Sequence, residues 1–304
     1  MDIRLIEHFL RIAEFGSINR AAKELGLSQP TAARSLRQLE RDLGQRLVVR
    51  RRTGISLTDA GDILAARAEQ LIRQAASIRE ELENEPAGRV VLGMPFALRE
   101  LITYSAIQEM RQSAPRSAIR VYEGLNVFLQ NMLAQGLLDL AVLAAGQVSD
   151  TDFEQKRYVR EDLMLVRSRE LPRPPDPAPP NEVTRYPCTM PGRPNIIRAI
   201  VEKSVGARNL TSCVAIEAET QELCIELVRR GVVGQTVTLG SGLVNRSRTA
   251  LHVVRADNLT VTWAIAVNRQ RRHSPSVRRL KSILERILTD RVKSGTWRGA
   301  SMAD

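Results

Sequence analysis

The sequence predicts an α/β chain made of a helical N-terminal module with a small hairpin, one long helix, and a larger segment in which strands and helices alternate. Three observations lead there. Apolar residues recur at steps of three and four through the first 43 residues and then give way to two short β-prone runs around a basic tip. A single apolar stripe continues unbroken from Ala60 to Leu82. From Arg89 onward, β-branched runs alternate with helical ones. At 304 residues, two domains are expected, since single cores rarely grow past about 250 residues.

Composition narrows the function before any motif is read. Lys and Arg number 45 against 34 Asp and Glu, giving a net charge of +11 and a pI near 10.4, which predicts an anionic partner. Aromatics at 4% are too sparse for the stacking platforms that hold single strands or RNA. Cys188, Cys213 and Cys224 contain no C-x-x-C pair, which disfavours a zinc site or a disulfide framework. Cys213 and Cys224, eleven apart, read as buried thiols. The N-terminus carries charges at helical intervals instead of a signal peptide's apolar core, so a cytoplasmic protein is expected. The most apolar stretch, Gly136 to Gly146, is too short for a bilayer and contains Asp139, so no membrane is expected. The excess charge is uneven, with +5 in residues 1–57 and +7 in residues 266–304. The C-terminal excess reads as a solvated helix face carrying Arg278, Arg279, Lys281 and Arg286.

The N-terminal excess falls on a definite architecture. Leu5, Phe9 and Ile12, with Ile6, Leu10 and Ala13, mark an amphipathic helix ending near Gly16. Ser17 suits the N-cap of a second helix bearing Ile18, Ala21, Ala22 and Leu25, and Gly26 breaks it so that Ser28 can cap a third. Pro30 falls in the first turn, where its missing N–H costs nothing. Small alanines and a short Gly-containing turn make this a helix-turn-helix. Ala32, Leu36, Leu39 and Leu43 form the third helix's buried stripe, and Arg34, Arg37 and Arg41 stand opposite. Gln29 and Thr31 in its first turn, with these arginines, supply the groups that read major-groove edges.

Leu47 to Arg50 and Ile55 to Leu57 are strand-like runs around Arg51-Arg52-Thr53-Gly54, the basic tip of a wing that contacts phosphates or the minor groove. Thr58 then caps a helix expected to reach Glu85, about 42 Å at 1.5 Å per residue. Ala60, Leu64, Ala68, Leu71, Ala75, Ile78 and Leu82 repeat at steps of four and three, as in a helix packed along its length against another, so a partner subunit is expected on Leu64, Leu71, Ile78 and Leu82. Pro86-Ala87-Gly88 ends it.

Ser17 to Gly61, SINRAAKELGLSQPTAARSLRQLERDLGQRLVVRRRTGISLTDAG, resembles the DNA-binding domain of LysR-type transcriptional regulators. The resemblance rests on Ala21-Ala22, Leu25, Gln29-Pro30, Leu39-Glu40, Leu43-Gly44, Arg50 and Leu57-Thr58-x-Ala60-Gly61. Ala33 stands where the family usually has serine, and Val48 where it usually has phenylalanine. The resemblance implies a regulator that binds double-stranded DNA as a dimer, with a tetramer as the larger assembly. Its candidate DNA contacts are Ser17, Ser28, Gln29, Pro30, Thr31, Arg34, Arg37, Arg50, Arg51 and Arg52.

Beyond residue 88, Val90 to Gly93, Ala118 to Tyr122, Leu138 to Leu143, Leu163 to Val166 and Thr260 to Val267 read as strands of mainly parallel sheets, which place ligands at their carboxyl ends. The family implies a periplasmic-binding-protein-like effector domain, two α/β subdomains joined by two crossing strands. The expected organisation is a winged helix-turn-helix at 1–58, a linker helix at 59–88 and an effector domain at 89–304. Its subdomain I takes about 89–160 and 266–304, and subdomain II about 161–265. Glu123-Gly124 followed by Leu133, Gly136 and Asp139 to Val142 matches the family's first half, and Thr189 to Asn195 resembles, more weakly, its nitrogen assimilation control branch.

Candidate effector contacts are the strand-end loops and helix starts: Pro95, Phe96, Ala97, Leu98, Asn126, Arg193, Asn195 and Thr220. Helix N-termini and Arg193 would hold an anionic group, and Phe96 and Leu98 an apolar part. Pro172 to Pro180, with six prolines, reads as an extended surface loop. No cofactor, metal or catalyst is nominated, because His8, His252 and His273 lie in no metal-spaced cluster and beside no nucleophile motif. The rival readings are a constitutive DNA-binding regulator without an effector, a solute-binding protein and an α/β enzyme.

Overall fold

A computed structural model describes residues 2–51, 54–83, 85–145, 153–243 and 250–303. The chain divides into two compact units, Met1–Glu83 and Asn84–Asp304.

In the first unit, helices α1 (Ile3–Phe15), α2 (Ile18–Glu24) and α3 (Gln29–Leu43) precede a hairpin of β1 (Val48–Arg51) and β2 (Gly54–Leu57), and then α4 (Asp59–Glu83). Local chemistry sets each boundary. Asp2, Ser17 and Ser28 accept backbone N–H groups at the starts of α1, α2 and α3. Gly16 and Gly44 end α1 and α3 in the left-handed region. Ile6, Phe9, Ile12, Ile18, Ala21, Ala22, Ala32, Leu36, Leu39, Leu47 and Ala68 form one buried core. Leu43, expected inside, is 38% exposed because α3 ends there. Glu40 is buried instead, and its Oε1 accepts the Leu47 N–H at 2.9 Å, tying the end of α3 to the wing.

The wing closes on the first helix. The Ile55 N–H donates to the Gly16 carbonyl at 2.9 Å, and a Cβ on Gly54 would lie 2.7 Å from that oxygen. Thr58 Oγ1 donates to the Arg46 carbonyl and accepts from the Gly61 N–H, so one hydroxyl joins the wing to α4. Arg52 and Thr53, at the expected tip, lie outside the described residues.

The second unit opens with β3 (Arg89–Pro95), turns Phe96–Leu98 and Arg99–Thr103, α5 (Tyr104–Ser113), β4 (Ala118–Gly124), α6 (Asn126–Ala134) and β5 (Leu140–Ala144). The long β6 (Phe153–Ser168) leads to α7 (Pro180–Val183), β7 (Cys188–Met190), α8 (Ile196–Val205), α9 (Ala207–Cys213), β8 (Val214–Glu217), α10 (Gln221–Arg229) and β9 (Gln235–Leu239). A turn Gly240–Leu243, the long β10 (Leu251–Asn268), α11 (Pro275–Lys293) and β11 (Ala300–Met302) complete it.

The strands form one mixed sheet in the order β4-β3-β5-β10-β6-β9-β7-β8, with β11 on β6. Strands β3, β4 and β5 pair in parallel, as do β7, β8 and β9, and the antiparallel β6 and β10 run between the two sets. The sequence reading found only parts of β6 and β10 and missed β7, β8 and β9, because runs of three to five residues carry little periodicity. Pro172 to Pro180 is extended but does not stand away from the body. Ala178 is buried and exchanges backbone hydrogen bonds with Arg255 and Asp257 beside β10.

Most of the described C-terminal charge meets internal partners. Arg271 pairs with the buried Asp139 at 3.0 Å, and Arg269 and Arg272 reach Glu154. Arg286 reaches Glu109 and Asp290, and Lys281 reaches Glu285. The expected helix face stays solvated at Arg278, Arg279 and Arg286, while the charges before the helix, Arg269, Arg271 and Arg272, are held in ion pairs. Among the described residues, no helix is long and apolar enough to cross a membrane.

Candidate functional site

The first candidate surface is the outer face of α3 with the wing. Gln29, Pro30, Thr31, Arg34 and Arg37 are exposed, as their spacing predicts for the face opposite Ala32, Leu36 and Leu39. Arg34 has no hydrogen-bond or ion-pair partner among the described residues, so its donors are free for a base edge. Arg37 Nε donates to the Ala33 carbonyl at 3.3 Å, which holds its guanidinium along the helix. The Ser28 and Ser17 hydroxyls accept from Thr31 N–H and Arg20 N–H, and Ser28 Oγ also lies 2.8 Å from Thr31 Oγ1. These serines act first as caps. On the wing, Arg50 and Arg51 are exposed, and Arg51 Nε donates to Ser56 Oγ at 2.8 Å, which aims it across the hairpin.

Helix α4 divides along its length. Ala60, Leu64, Ala65 and Ala68 pack against the module's own core, with Leu64 left partly exposed. The reason is that α1 lies across the first half of α4. Farther on, Leu71, Ile78 and Leu82 are 41%, 61% and 83% exposed.

The second candidate site is a cleft in the larger unit enclosing about 580 Å³, including space open to solvent. Strands β3, β4 and β9 bring Pro95, Gly124 and Leu239 to it at their carboxyl ends. Three helices begin there: α6 at Leu125-Asn126, α8 at Asn195-Ile196-Ile197 and α10 at Thr220-Gln221-Glu222. Their N-terminal N–H groups favour a negative ligand group. Phe96 and Trp263 supply apolar walls, while Glu219 and Glu222 add carboxylates.

Of the expected contacts, Pro95, Phe96, Ala97, Asn126, Asn195 and Thr220 line the cleft. Two do not. Leu98 is 0% exposed, because the turn after β3 rotates its side chain into the core. Arg193 is exposed and pairs with Glu202 of α8 at 3.0 Å, so a neighbouring carboxylate draws it out of the cleft. Asn126 is also partly committed, since its Oδ1 accepts the Ala144 N–H at 2.8 Å. The sequence reading missed Leu239, Trp263, Gln221 and the two glutamates. Trp263 lies within a run already read as a strand, and only the pairing of β10 turns it toward the cleft. Thr238 Oγ1 donates to Gln221 Oε1 at 2.6 Å, which fixes the Gln221 amide.

Among the described residues, no group of His, Cys, Asp or Glu could hold a metal ion.

Both candidate sites fall in regions shared with known proteins. Residues 3–62 match the family described as "Bacterial regulatory helix-turn-helix protein, lysR family", and residues 83–288 match "LysR substrate binding domain". The nitrogen assimilation regulatory protein nac of Klebsiella aerogenes is 25% identical over 296 residues, covering 93% of this chain and 94% of its own. Its namesake in Escherichia coli is 28% identical over 229 residues, or 72% of each chain. A full-length OxyR variant from Pseudomonas aeruginosa shares the fold, with a TM-score of 0.72 at 19% identity over 94% of this chain and 98% of that one. With one matched region carrying α3 and the wing, and the other carrying the cleft, the chain belongs to the LysR family of transcriptional regulators, a DNA-binding helix-turn-helix followed by an effector-binding domain.

Proposed function

We propose that the chain reads its operator with α3, Gln29, Thr31, Arg34 and Arg37 facing base edges while Arg50 and Arg51, with Arg52, meet phosphates. Ser17, Ser28 and Pro30 set the helix starts against the backbone. The observation that carries this is the exposed Arg34, without a partner among the described residues, on a helix whose opposite face buries Ala32, Leu36 and Leu39 in the core. Leu71, Ile78 and Leu82 pair two subunits through α4, placing two recognition helices in successive major grooves. The operative divisions are residues 1–58, 59–88 and 89–304, and the protein acts in the cytoplasm, on DNA, without catalysing a reaction.

The cleft takes a small anionic effector with an apolar part. Its anionic group meets the N-termini of α6, α8 and α10, because Arg193 faces away and Glu219 and Glu222 leave the helix starts and amides as donors. Its apolar part lies against Phe96 and Trp263, with Pro95, Ala97, Asn126, Asn195 and Thr220 around it.

Footprinting of the purified chain upstream of its own gene and the neighbouring divergent gene tests the DNA reading, and protection no stronger than on random DNA overturns it. Thermal melting of the full chain against a panel of small aryl and alkyl carboxylates tests the cleft. A rise in melting temperature that Phe96→Ala reduces is expected, and no rise with any member points to a regulator without such an effector.

A further inference from the structure

We propose that Cys188 and Cys213 form a reversible intramolecular disulfide by exchange with a low-molecular-weight disulfide. The two Sγ atoms lie 3.5 Å apart. The sequence gives no hint of this pair, since the two residues stand 25 positions apart and no C-x-x-C motif exists. The fold brings them together. Cys188 is the first residue of β7 and Cys213 the last of α9, and in the parallel pairing of β7 with β8 the register partner of Cys188 is Val214, the residue after Cys213. Closing the gap to a bonded S–S distance of about 2.05 Å asks for side-chain motion of roughly 1.5 Å, within what side-chain rotation at the end of a helix supplies.

The third thiol is engaged elsewhere. Cys224 accepts from Thr189 Oγ1 at 3.6 Å and donates to the Ala218 carbonyl at 3.4 Å.

The two sulfurs differ in ways that assign their roles. Cys188 is 0% exposed, and burial together with the adjacent Cys213 sulfur pushes its thiol well above the ordinary range. Cys213 is only partly buried, its thiol donating to the Leu210 carbonyl at 3.2 Å, so an incoming small disulfide RSSR meets it first. Cys213 loses its proton to solvent and its thiolate attacks one sulfur of RSSR. The S–S bond of RSSR breaks, a mixed disulfide forms on Cys213, and the departing RS⁻ takes a proton from solvent. Cys188 Sγ then attacks Cys213 Sγ, and the second RS⁻ leaves with the Cys188 proton. Two protein thiols are oxidised, one small disulfide is reduced to two thiols, and nothing else is consumed.

The bond would tie the amino ends of β7 and β8. The carboxyl ends of those strands run on to Asn195 and to Glu219 and Thr220, which line the cleft. Oxidation therefore staples one cleft wall at its base, and the inference stands whether or not that cleft takes an effector.

The test equilibrates the full-length chain in mixtures of oxidised and reduced glutathione, quenches with acid and alkylating agent, and maps the products by mass spectrometry. Wild type and Cys224→Ser are expected to lose two hydrogens and yield one cross-linked peptide pair containing Cys188 and Cys213, reversed by dithiothreitol. Cys188→Ser, which keeps Cys213 but removes the second attack, is expected to stop at a glutathione adduct on Cys213. The oxidised wild type should also melt a few degrees higher than the reduced form, because the cross-link constrains the unfolded chain. Matching circular dichroism spectra of the reduced variants and wild type exclude misfolding as the cause. A persistent Cys213 adduct in wild type, a bond involving Cys224, a bond between subunits, or no oxidation in any mixture would each overturn the proposal.

Discussion

The indole N–H of Trp263, which lines the cleft, donates to the buried carboxylate of Glu161 at 2.6 Å, and the other oxygen of that carboxylate accepts the Ser241 N–H at 2.6 Å. One side chain on β6 thus links the two long crossing strands to the turn after β9. Burial pushes the Glu161 carboxyl above its ordinary value of 4.5, against the pull of those two donors. A carboxyl whose pKa is higher in the folded chain holds its proton more tightly there. Its stabilising contribution is complete below about 4.5 and is lost as pH rises through the folded value. Melting temperature measured from pH 4.5 upward is expected to fall more steeply for wild type than for Glu161→Gln, and parallel profiles would refute the assignment.

Arg34 and Arg51 should separate specificity from affinity. Arg34→Ala is expected to weaken operator binding by about 1–3 kcal/mol and to relax base preference at one position. Arg51→Ala should weaken binding to all sequences and lower the salt slope by about one charge. Equal loss on operator and random DNA for Arg34→Ala, measured by fluorescence anisotropy, would remove it from base reading.

The far half of α4 gives a third expectation. Ile78 and Leu82 are 61% and 83% exposed in one subunit, too much apolar surface in series to leave to water. Ile78→Lys, or a charge at Leu71, is expected to shift the chain to smaller species in light scattering. The same charge at Leu64 should instead destabilise the N-terminal module, since Leu64 packs on that module's core.

The pair Asp139 and Arg271 is buried on both sides, at 1% and 5% side-chain exposure, and Asp139 Oδ2 also accepts the Val91 N–H at 2.8 Å. Asp139→Asn removes the carboxylate while Arg271 stays buried. A loss of about 3–5 kcal/mol in the urea unfolding of the second unit is expected. A change below 1 kcal/mol would mean that the guanidinium is satisfied by other groups.

Much of the N-terminal module was legible because its information is local. Serine caps, Gly16 and Gly44 in the left-handed region, and apolar steps of three and four are all set within a turn or two of chain, and the structure bears them out. Glu40 was not legible. Its burial depends on a hydrogen bond to Leu47 across the wing, and nothing in the spacing of a charged residue announces that. The cleft was half legible: strand ends and helix starts nominated Pro95, Phe96, Ala97, Asn126, Asn195 and Thr220, whereas Leu98 and Arg193 failed on side-chain direction. Direction was set for Leu98 by the turn after β3 and for Arg193 by Glu202, a partner nine residues away.

By itself, then, the sequence determined the elements of the N-terminal module, the basic face of α3 and the family, since each follows from short-range pattern. Tertiary structure alone decided which charges are spent internally. Within the C-terminal excess, Arg271 pairs with Asp139 132 positions away, and Arg272 with Glu154 118 positions away. It also decided that Cys188 meets Cys213 while Trp263 turns to Glu161. Long-range contacts of this kind depend on strand pairing between distant segments, and a linear pattern carries no record of which strand lies beside which.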